Sequence, residues 1–424
     1  MKKYKKRIAD NILQKKLKGK GAVLIEGAKW CGKTTTAEQI SNSIIYVSDP
    51  EKTEQYLAMA DLNPKKLLLG KTPILIDEWQ LIPKIWDAIR FEVDHREELG
   101  QFILTGSSLP VSNKEIKHSG TGRFSWLLMR PMSIYESGES TGEVSIKELF
   151  AKPVEIYGEN NLSIDDIAFL ACRGGWPRAV DMDKSTALEQ VYDYYDALVK
   201  IDITKADGTI KNQERIKRLM RSIARNQGTQ ASLTSICDDI LNNDSLSINT
   251  ETVCSYINML KNIFIVEDME AWNPNLRSKT AIRTSDTRYF VDPSIAVASL
   301  GLGPNDLINN LNLFGFIFET MCVRDLRVYA DAIDGKIYHY RDKTGLECDA
   351  VIHLRDGNYG LIEIKLGGEK VINESSKNLL KLAEKIDTNK MKEPSFMMIL
   401  TAVGDFAYKR NDGIYVVPIG CLKN

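Results

Sequence analysis

The sequence predicts an α/β protein in three parts. Strand-like and helix-like segments alternate from Ala22 to Met129, which is the order of a parallel sheet with crossover helices. Three helical segments and a hairpin follow in the middle of the chain, and a helix with three further strands follows near the C-terminus. We therefore expect a sheet domain over 1–180, a helical connector over 181–300 and a second α/β domain over 301–424.

The composition is that of a large intracellular chain. It has 424 residues, 43% of them hydrophobic, so it can bury several cores. The net charge of −1 hides a basic start, with nine Lys or Arg in the first twenty residues, and a basic run from Lys200 to Arg225. Such runs either bind nucleic acid or form solvated helix faces. Seven cysteines without a CxxC pair, and no stretch approaching twenty apolar residues, predict a cytoplasmic protein without membrane contact.

The most specific motif is a glycine-rich segment between an apolar run and a helical segment. It reads Gly-Ala-Lys-Trp-Cys-Gly-Lys-Thr and has the strand, loop and helix order of a phosphate-binding loop. Its glycines let backbone N–H groups surround a polyphosphate, Lys33 adds a positive charge, and Thr34 can ligate Mg²⁺. The alternative is an ordinary turn. The predicted nucleotide-binding residues are Gly27, Ala28, Lys29, Trp30, Cys31, Gly32, Lys33, Thr34 and Thr35.

Two adjacent acids end the predicted strand 74–76. We expect Asp77 beside the Mg²⁺ shell and Glu78 beside an attacking water, the two tasks that ATP hydrolysis requires of carboxylates. The alternative is a pair of acids at a helix N-terminus. The position of the pair downstream of a phosphate-binding loop favours the functional interpretation.

Polar residues after the predicted strand 102–104, and an arginine further on, are candidates for contact with the γ-phosphate. Thr105 or Ser107 would sense it at the carboxyl edge of the sheet, where ligands bind in open α/β folds; a simple turn is the alternative. Arg123, in a glycine-rich turn, would offset transition-state charge in its own subunit or in a neighbour's; a structural salt bridge is the alternative.

The segment after the sheet predicts a boundary and a tight turn. Residues 138–165 lose hydrophobic periodicity, which indicates a surface excursion or a domain boundary. In the run Arg-Gly-Gly-Trp-Pro-Arg, either Arg173 or Arg178 is a candidate nucleotide sensor. Surface arginines beside a tight turn are the favoured interpretation.

The middle of the chain predicts three helices followed by a hairpin. Apolar residues recur at helical spacing in 216–223, 233–240 and 250–260, and two strand-like runs follow at 263–267 and 288–292. That is the order of a winged helix, whose third helix can enter a DNA major groove. Because the third helix carries little basic charge, protein packing is the favoured alternative.

A second set of acids, with a lysine, lies near the C-terminus. Glu319 lies on an amphipathic helix, Asp349 lies near the start of a strand, and the next strand carries Glu363 and Lys365 on one face, because alternate strand residues share a side. Asp349 and Glu363 can hold Mg²⁺ against a scissile phosphate while the lysine stabilises charge, and Glu319 would complete the metal shell. This is the arrangement of the PD-(D/E)xK nuclease fold. The alternative is an exposed strand face without activity.

Together these motifs resemble a large prokaryotic family of AAA-type P-loop ATPases, grouped with AAA+ and STAND-like proteins. The resemblance rests on the phosphate-binding loop, the Leu-Ile-Asp-Glu-Trp-Gln run, the Leu-Thr-Gly-Ser-Ser element and the Arg-Pro-Met-Ser stretch. The segment from Tyr340 to Lys365 is similar to the family's tail domain, which is classed with restriction-endonuclease-like folds. The resemblance implies ATP binding with Mg²⁺, hydrolysis and self-association, and it indicates no agreed substrate.

The sequence therefore predicts an Mg²⁺-dependent ATPase in which ATP controls the access of a nuclease-like site to DNA. The alternative is a STAND-like regulatory switch that binds a protein partner and carries a silent nuclease-like tail. The balanced net charge favours this alternative somewhat, because DNA-binding proteins commonly have a broad basic face. A small-molecule kinase is disfavoured because the remaining residues show no acceptor-site signature.

Overall fold

The computed structural model describes two compact units. It covers residues 4–108, 118–151, 155–202, 212–241, 249–274 and 285–424. The N-terminal unit contains the described residues of Met1–Pro131, Ile201–Lys211 and Met259–Ile265, and the C-terminal unit contains those of Met132–Lys200, Asn212–Asn258 and Val266–Asn424. Residues 132–180 thus group with the C-terminal unit, and the predicted division into three domains stays a prediction.

The N-terminal unit is an α/β layer around a parallel sheet. The strand order is β2-β3-β4-β1-β5, and every neighbouring pair is parallel. This confirms the predicted fold class of this part. The elements are α1 (Ile8–Leu17), β1 (Ala22–Glu26), α2 (Lys33–Glu38), β2 (Ser43–Tyr46), α3 (Thr53–Leu62), a 3-10 helix (Pro64–Leu68), β3 (Ile74–Asp77), a 3-10 helix (Trp79–Leu81), α4 (Ile85–Arg96), β4 (Phe102–Gly106) and β5 (Phe124–Leu128).

Both faces of this sheet are buried. Successive strand residues point to opposite sides, and each side packs against helices. Leu24 belongs to a cluster with Trp86 of α4 on one face, and Ile25 belongs to a cluster with Leu13 of α1 on the other. A register slip of one residue would exchange these two sets, so burial fixes the register. The carboxyl ends of β1, β3 and β4 therefore meet at one edge.

The C-terminal unit combines helices with a seven-stranded mixed sheet. The order of that sheet is β10-β11-β12-β13-β15-β14-β7. The elements are α5 (Ile134–Ser137), β6 (Val144–Ser145), α6 (Ile146–Ala151), β7 (Gly158–Glu159), α7 (Ile164–Arg173), α8 (Pro177–Val180), α9 (Lys184–Ala197), a π-helix (Leu198–Asp202), α10 (Gln213–Arg225), α11 (Leu233–Leu241), α12 (Thr250–Asn262), β8 (Val266–Met269), β9 (Thr287–Phe290), α13 (Pro293–Leu300), α14 (Pro304–Asn309), α15 (Leu311–Ala332), β10 (Gly335–Arg341), β11 (Glu347–Leu354), β12 (Tyr359–Lys365), α16 (Glu369–Lys385), β13 (Phe396–Thr401), β14 (Phe406–Lys409), β15 (Tyr415–Pro418), a 3-10 helix (Ile419–Cys421) and β16 (Leu422–Lys423).

The middle of the chain has the predicted order of three helices and a hairpin. Helices α10, α11 and α12 are followed by β8 and β9, which pair antiparallel. Asn249 Oδ1 accepts the Thr252 N–H at 2.8 Å and so caps α12. Parts of the predicted basic run and of the hairpin tip lie outside the described residues. The name winged helix stays a prediction.

The predicted surface excursion over 138–165 is only partly correct where the structure describes it: Tyr157 is 67% exposed, but other residues of the segment are buried. Val144, Ile146 and Leu149 are at most 2% exposed. Strand β6 pairs with β16 at the other end of the chain, with Val144 opposite Leu422. Local periodicity does not reveal a strand whose partner lies so far away in the sequence.

Helix α15 is the longest of the described helices, with 22 residues. It is buried along much of its length, yet it carries Arg324 and Asp325 inside the C-terminal unit. Among the described residues, none of the helices is long and apolar enough to cross a membrane.

Candidate functional site

The phosphate-binding loop joins β1 to α2 at the carboxyl edge of the parallel sheet. Gly27 has a φ of +148°, and a Cβ at this position would lie 2.1 Å from the carbonyl oxygen of Met129. Gly32 precedes α2 with a φ of +102°. Trp30 has a left-handed φ of +67° and is 46% exposed. The glycines thus allow the tight path that aims backbone N–H groups and the start of α2 at the loop.

Lys33 is the charged group of the loop. Its side chain is buried, and Nζ donates to the carbonyl oxygens of Gly27 at 2.9 Å and Ala28 at 2.8 Å. The ammonium group therefore lies over the loop backbone. Of the other predicted residues, Cys31 is buried with its thiol 3.3 Å from a carbonyl oxygen, whereas Lys29 and Thr35 are exposed.

Asp77 brings together the predicted Mg²⁺-binding residues. Its Oδ1 accepts the hydroxyl of Thr34 and the hydroxyl of Thr105, each at 2.6 Å. Strand β4 lies between β1 and β3, which places Thr105 directly opposite Asp77. Neighbouring hydroxyl and carboxylate oxygens are the ligands that a hard cation such as Mg²⁺ prefers, so these residues fit that ion.

Glu78 is held beside Asp77 in a left-handed backbone conformation with a φ of +56°. Its carboxylate accepts the Ser107 hydroxyl, with O–O distances of 3.2 and 3.4 Å, and the Gln80 amide. Positive φ in a non-glycine residue costs free energy and is common at functional positions. Of the two candidate sensors, Thr105 therefore contacts Asp77 and Ser107 contacts Glu78. Gln80 was not predicted as a site residue.

Arg123 lies at the opposite edge of the sheet. Its carbonyl oxygen accepts the N–H of Ala22 at the start of β1, whereas the phosphate-binding loop follows the end of that strand. A strand of this length separates the two edges by roughly 16 Å. Arg123 Nε lies 2.8 Å from Asp94 Oδ1 in an exposed ion pair. The expected contact with the γ-phosphate of its own subunit is therefore wrong, and the structural salt bridge is confirmed. Contact with a neighbour's nucleotide stays a prediction.

The arginines of the predicted tight turn differ in burial. Arg178 is exposed, as expected. Arg173 is only 4% exposed; its guanidinium pairs with Glu139 and donates from Nε to the Gly174 carbonyl oxygen at 3.1 Å. The expectation of a surface arginine is therefore wrong for Arg173, because an acid 34 residues earlier in the chain neutralises its charge.

Sequence reasoning did not predict the hydrogen bonds by which the first described residues hold the phosphate-binding loop. Arg7 is 4% exposed and donates to the carbonyl oxygens of Cys31 at 2.7 Å and Arg130 at 2.9 Å. Tyr4 donates to Asp10 at 2.6 Å. Arg7 thus connects the phosphate-binding loop to the chain leaving β5. The available sequence signal for this role was the position of Arg7 directly before a helix. It was not recognised because Arg7 lies within the basic run at the start of the chain.

The C-terminal acids and lysine meet as predicted. Strands β11 and β12 pair antiparallel, and Asp349 lies one residue before Ala350, the first paired residue of β11. Lys365 Nζ lies 2.7 Å from Asp349 Oδ2 and 2.8 Å from Glu363 Oε2. Asp349 Oδ2 also accepts the Ile364 N–H at 2.7 Å. One ammonium group thus joins two carboxylates on one face of the sheet.

Glu319 adds a third carboxylate from α15. Glu319 and Asp349 line one cavity of about 40 Å³. Burial and the nearby charge of Asp349 raise the pKa of Glu319 and that of Glu363. Burial alone would lower the pKa of Lys365, but the two carboxylates outweigh it and raise that pKa.

A divalent cation fits this cluster by donor chemistry and by space. Carboxylate oxygens suit Mg²⁺ or Mn²⁺, and the cavity exceeds the volume that one water requires. Within the described part of the chain, no three His, Cys, Asp or Glu side chains are already gathered around one metal position. Lys365 holds the position between Asp349 and Glu363, so Glu319 and Asp349 are the residues best placed for a cation.

Family comparisons assign the segments of the chain separately. Residues 19–138 match the family model described as an AAA domain. Residues 164–306 and 314–422 match two domains of unknown function, DUF8612 and DUF4143. No curated protein matches the chain significantly.

Solved structures show distant likeness. The Walker-type ATPase PABY2304 of Pyrococcus abyssi is 14% identical, with 68% of this chain and 94% of that chain covered and a TM-score of 0.43. The Aeropyrum pernix ORC1 protein in complex with DNA is 14% identical, with 72% and 92% covered and a TM-score of 0.28. The STAND protein PH0952 of Pyrococcus horikoshii, with a tetratricopeptide repeat sensor, is 13% identical, with 78% and 50% covered and a TM-score of 0.23.

The AAA match coincides with the nucleotide-site geometry. It spans the phosphate-binding loop, the acids after β3 and Thr105, which the parallel sheet brings to one edge. Residues 19–138 are therefore the part of this chain that is similar to an AAA domain, and they carry the phosphate-binding loop.

Proposed function

We propose that the chain is an Mg²⁺-dependent ATPase whose nucleotide site controls a nuclease-like site acting on DNA. One observation carries the nucleotide part: the hydroxyls of Thr34 and Thr105 share a single oxygen of Asp77 at the edge where the phosphate-binding loop begins. Thr34 and Asp77 would hold Mg²⁺, which supplies neutralising charge at the phosphates. Lys33 would exchange its two carbonyl partners for phosphate oxygens.

Glu78 would activate the attacking water. In the structure its carboxylate is held by Ser107 and Gln80. For hydrolysis the carboxylate must turn from these partners toward the γ-phosphate. A nucleotide that contacts Ser107 would release Glu78, so binding and activation would be linked.

The acid and lysine cluster supports the nuclease-like part. Lys365 bridges Asp349 and Glu363 through distances of 2.7 and 2.8 Å. Asp349 and Glu319 would bind a divalent cation that neutralises charge on a scissile phosphodiester, and Glu363 would hold Lys365 in place. Lys365 would stabilise the charge that develops on the phosphate as water attacks.

Control by ATP is supported by contacts within each unit along one stretch of chain. Arg7 holds both the carbonyl of Cys31 in the phosphate-binding loop and that of Arg130 after β5. Four residues later, the Ile134 N–H donates to Asp325 on α15 at 2.9 Å, and α15 also carries Glu319. Movement at the loop could therefore pass through a short segment to the helix of the second site.

The test is cleavage of supercoiled plasmid by the purified chain with Mg²⁺ or Mn²⁺, with and without ATP, at several salt concentrations. We expect nicking that Asp349→Ala abolishes and that Asp356→Ala leaves intact, because Asp356 is an exposed acid in the turn between β11 and β12. The Lys33→Ala variant should lose the response to ATP. DNA binding should weaken steeply with salt, because phosphate contacts release counterions.

A second candidate is a STAND-like switch that binds a protein partner. The bridging position of Lys365 favours it, because two ion pairs balance these carboxylates without a cation. Wild-type protein that turns over ATP, changes its self-association with ATP and never nicks DNA would support the switch and contradict the nuclease.

A further inference from the structure

One side of the cluster of Glu319, Asp349 and Glu363 is formed by residues that lie earlier in the chain than these acids. We call this side, residues 227–230 and 287–290, the wall. The Tyr289 hydroxyl, on β9, donates to Glu319 Oε1 at 2.6 Å. Tyr289 is only 1% exposed, and its ring lies 5.7 Å from the Arg327 guanidinium. A buried hydroxyl on one carboxylate oxygen fixes the rotation of the carboxylate group.

Gly228, in the turn after α10, lets this contact form. It has a φ of +67°, and its N–H donates to the Arg288 carbonyl oxygen at 3.2 Å. A Cβ at this position would lie 2.5 Å from Glu319 Oε1 and 3.2 Å from the Tyr289 hydroxyl. Any side chain here would therefore push Glu319 out of place.

Gln227 fixes the same wall from behind. Its Oε1 accepts the N–H of Phe290 at 2.9 Å and the hydroxyl of Thr320 at 3.2 Å, and its Nε2 donates to Ile223 at 3.0 Å. One fully buried amide thus holds the residue after Tyr289 and the residue after Glu319.

The wall encloses the space beside the acids. The cavity of about 40 Å³ is lined by Gly228 and Tyr289 as well as by Glu319 and Asp349. This volume holds more than one water, so a cation with part of its hydration fits it. The hydroxyl of Tyr289 donates to Oε1 of Glu319, so this contact leaves Oε2 available to a cation.

We propose that Tyr289 is a positioning residue for Glu319 and that residues 227–230 and 287–290 are a required wall of a divalent-cation site at Glu319 and Asp349. This inference rests on the proposed function, since it concerns the same acids. Partners that orient a metal ligand change metal affinity by about 10- to 100-fold when they are removed. The affinity of the site for a cation therefore depends on residues in the middle of the chain.

The test measures binding of Mn²⁺ to the full chain without nucleotide. Free Mn²⁺ is detected by its electron paramagnetic resonance signal. The site is defined as the binding that Asp349→Ala removes. Tyr289→Phe should weaken it about tenfold. Tyr157→Phe is the matched control, because its hydroxyl also contacts a glutamate, Glu159, but on the surface.

A second pair of variants tests the wall through the backbone. Gly228→Ala should weaken the binding of Mn²⁺ at least as much as Tyr289→Phe does. Gly357→Ala has a similar left-handed φ of +83° but meets no atom within 4 Å, so it should leave Mn²⁺ binding unchanged. Thermal unfolding of each variant separates loss of the site from loss of the fold.

A double-mutant cycle separates positioning from a general structural role. If Tyr289 acts through Glu319, the Tyr289→Phe/Glu319→Gln double variant binds Mn²⁺ no more weakly than Glu319→Gln alone. Additive losses, or unchanged affinity in Tyr289→Phe while Asp349-dependent binding persists, would overturn the inference and leave the cation site standing. If the wild-type chain shows no Asp349-dependent binding of Mn²⁺, the cation site itself is overturned, and this inference with it.

Discussion

At the scale of single residues, both candidate sites are built on side chains that satisfy two partners at once. Asp77 joins Thr34 to Thr105, and Lys365 joins Asp349 to Glu363. Each group is charged and largely shielded from water, so a lost partner is costly. Exposed charges behave differently, because solvent screens them.

Arg123 is such an exposed charge, and we predict that Arg123→Ala leaves ATP turnover unchanged in dilute protein. Its turn lies at the amino edge of β5, and its partner is Asp94. Steady-state turnover as a function of protein concentration checks this. A loss already complete in the monomer would contradict it, whereas a loss that appears only as subunits associate would indicate contact with a neighbour's nucleotide.

His339 predicts a loss of stability in acid. Burial lowers the pKa of His339 to about 4, because the imidazolium loses its hydration there. The unfolded chain takes up this proton near pH 6.5, so the free energy of unfolding falls as the pH drops from 6.5 toward 4. The loss is on the order of 2 kcal/mol by pH 5. Urea unfolding at pH 7 and pH 5 should show a smaller loss in His339→Gln; parallel losses in both proteins would contradict the assignment.

At the scale of elements, α15 is the structural centre of the C-terminal unit. Arg324 lies 2.9 Å from Asp292 and 2.7 Å from Asp325, and all three are at most 2% exposed. Asp325 also accepts the Ile134 N–H, and Asp292 accepts the N–H of Gly175. Buried ion pairs thus fix the helix that carries Glu319.

Arg324→Ala should therefore lower the free energy of unfolding by about 3–5 kcal/mol, because it leaves two buried carboxylates uncompensated. The control is Lys336→Ala, which breaks an exposed pair with Glu270 and should cost less than about 1 kcal/mol. Chemical denaturation of both variants is the measurement. Equal losses would show that burial does not set the strength of these contacts.

The elements also show what a sequence can reveal. The parallel strands were predictable because strands buried on both faces form short apolar runs, and the face of Glu363 and Lys365 followed from strand alternation. The contact of Tyr289 with Glu319 spans 30 residues, and that of Arg7 with Arg130 spans 123. Local patterns contain no information about such partners. The expected contact of Arg123 with the γ-phosphate of its own subunit was wrong because its turn leads into β5 and so lies at the amino edge of the sheet.

At the scale of the whole molecule, two candidate sites lie in two compact units of one chain. The nucleotide site belongs to the N-terminal unit, and the acid and lysine cluster belongs to the C-terminal unit. The connection at Pro131 follows the carbonyl that Arg7 holds. A chain arranged in this way can use ATP to control the second site only if the first site binds and turns over ATP.

The most direct test of that claim is ATP hydrolysis by the purified chain with and without Mg²⁺. We predict Mg²⁺-dependent turnover that falls at least about 100-fold in Lys33→Ala, since loss of one charge-stabilising group costs that much. Lys52→Ala, which removes an exposed lysine of the same unit, should retain it. A folded Lys33→Ala variant with wild-type turnover, or a folded wild-type chain that does not respond to ATP and Mg²⁺, would contradict the account.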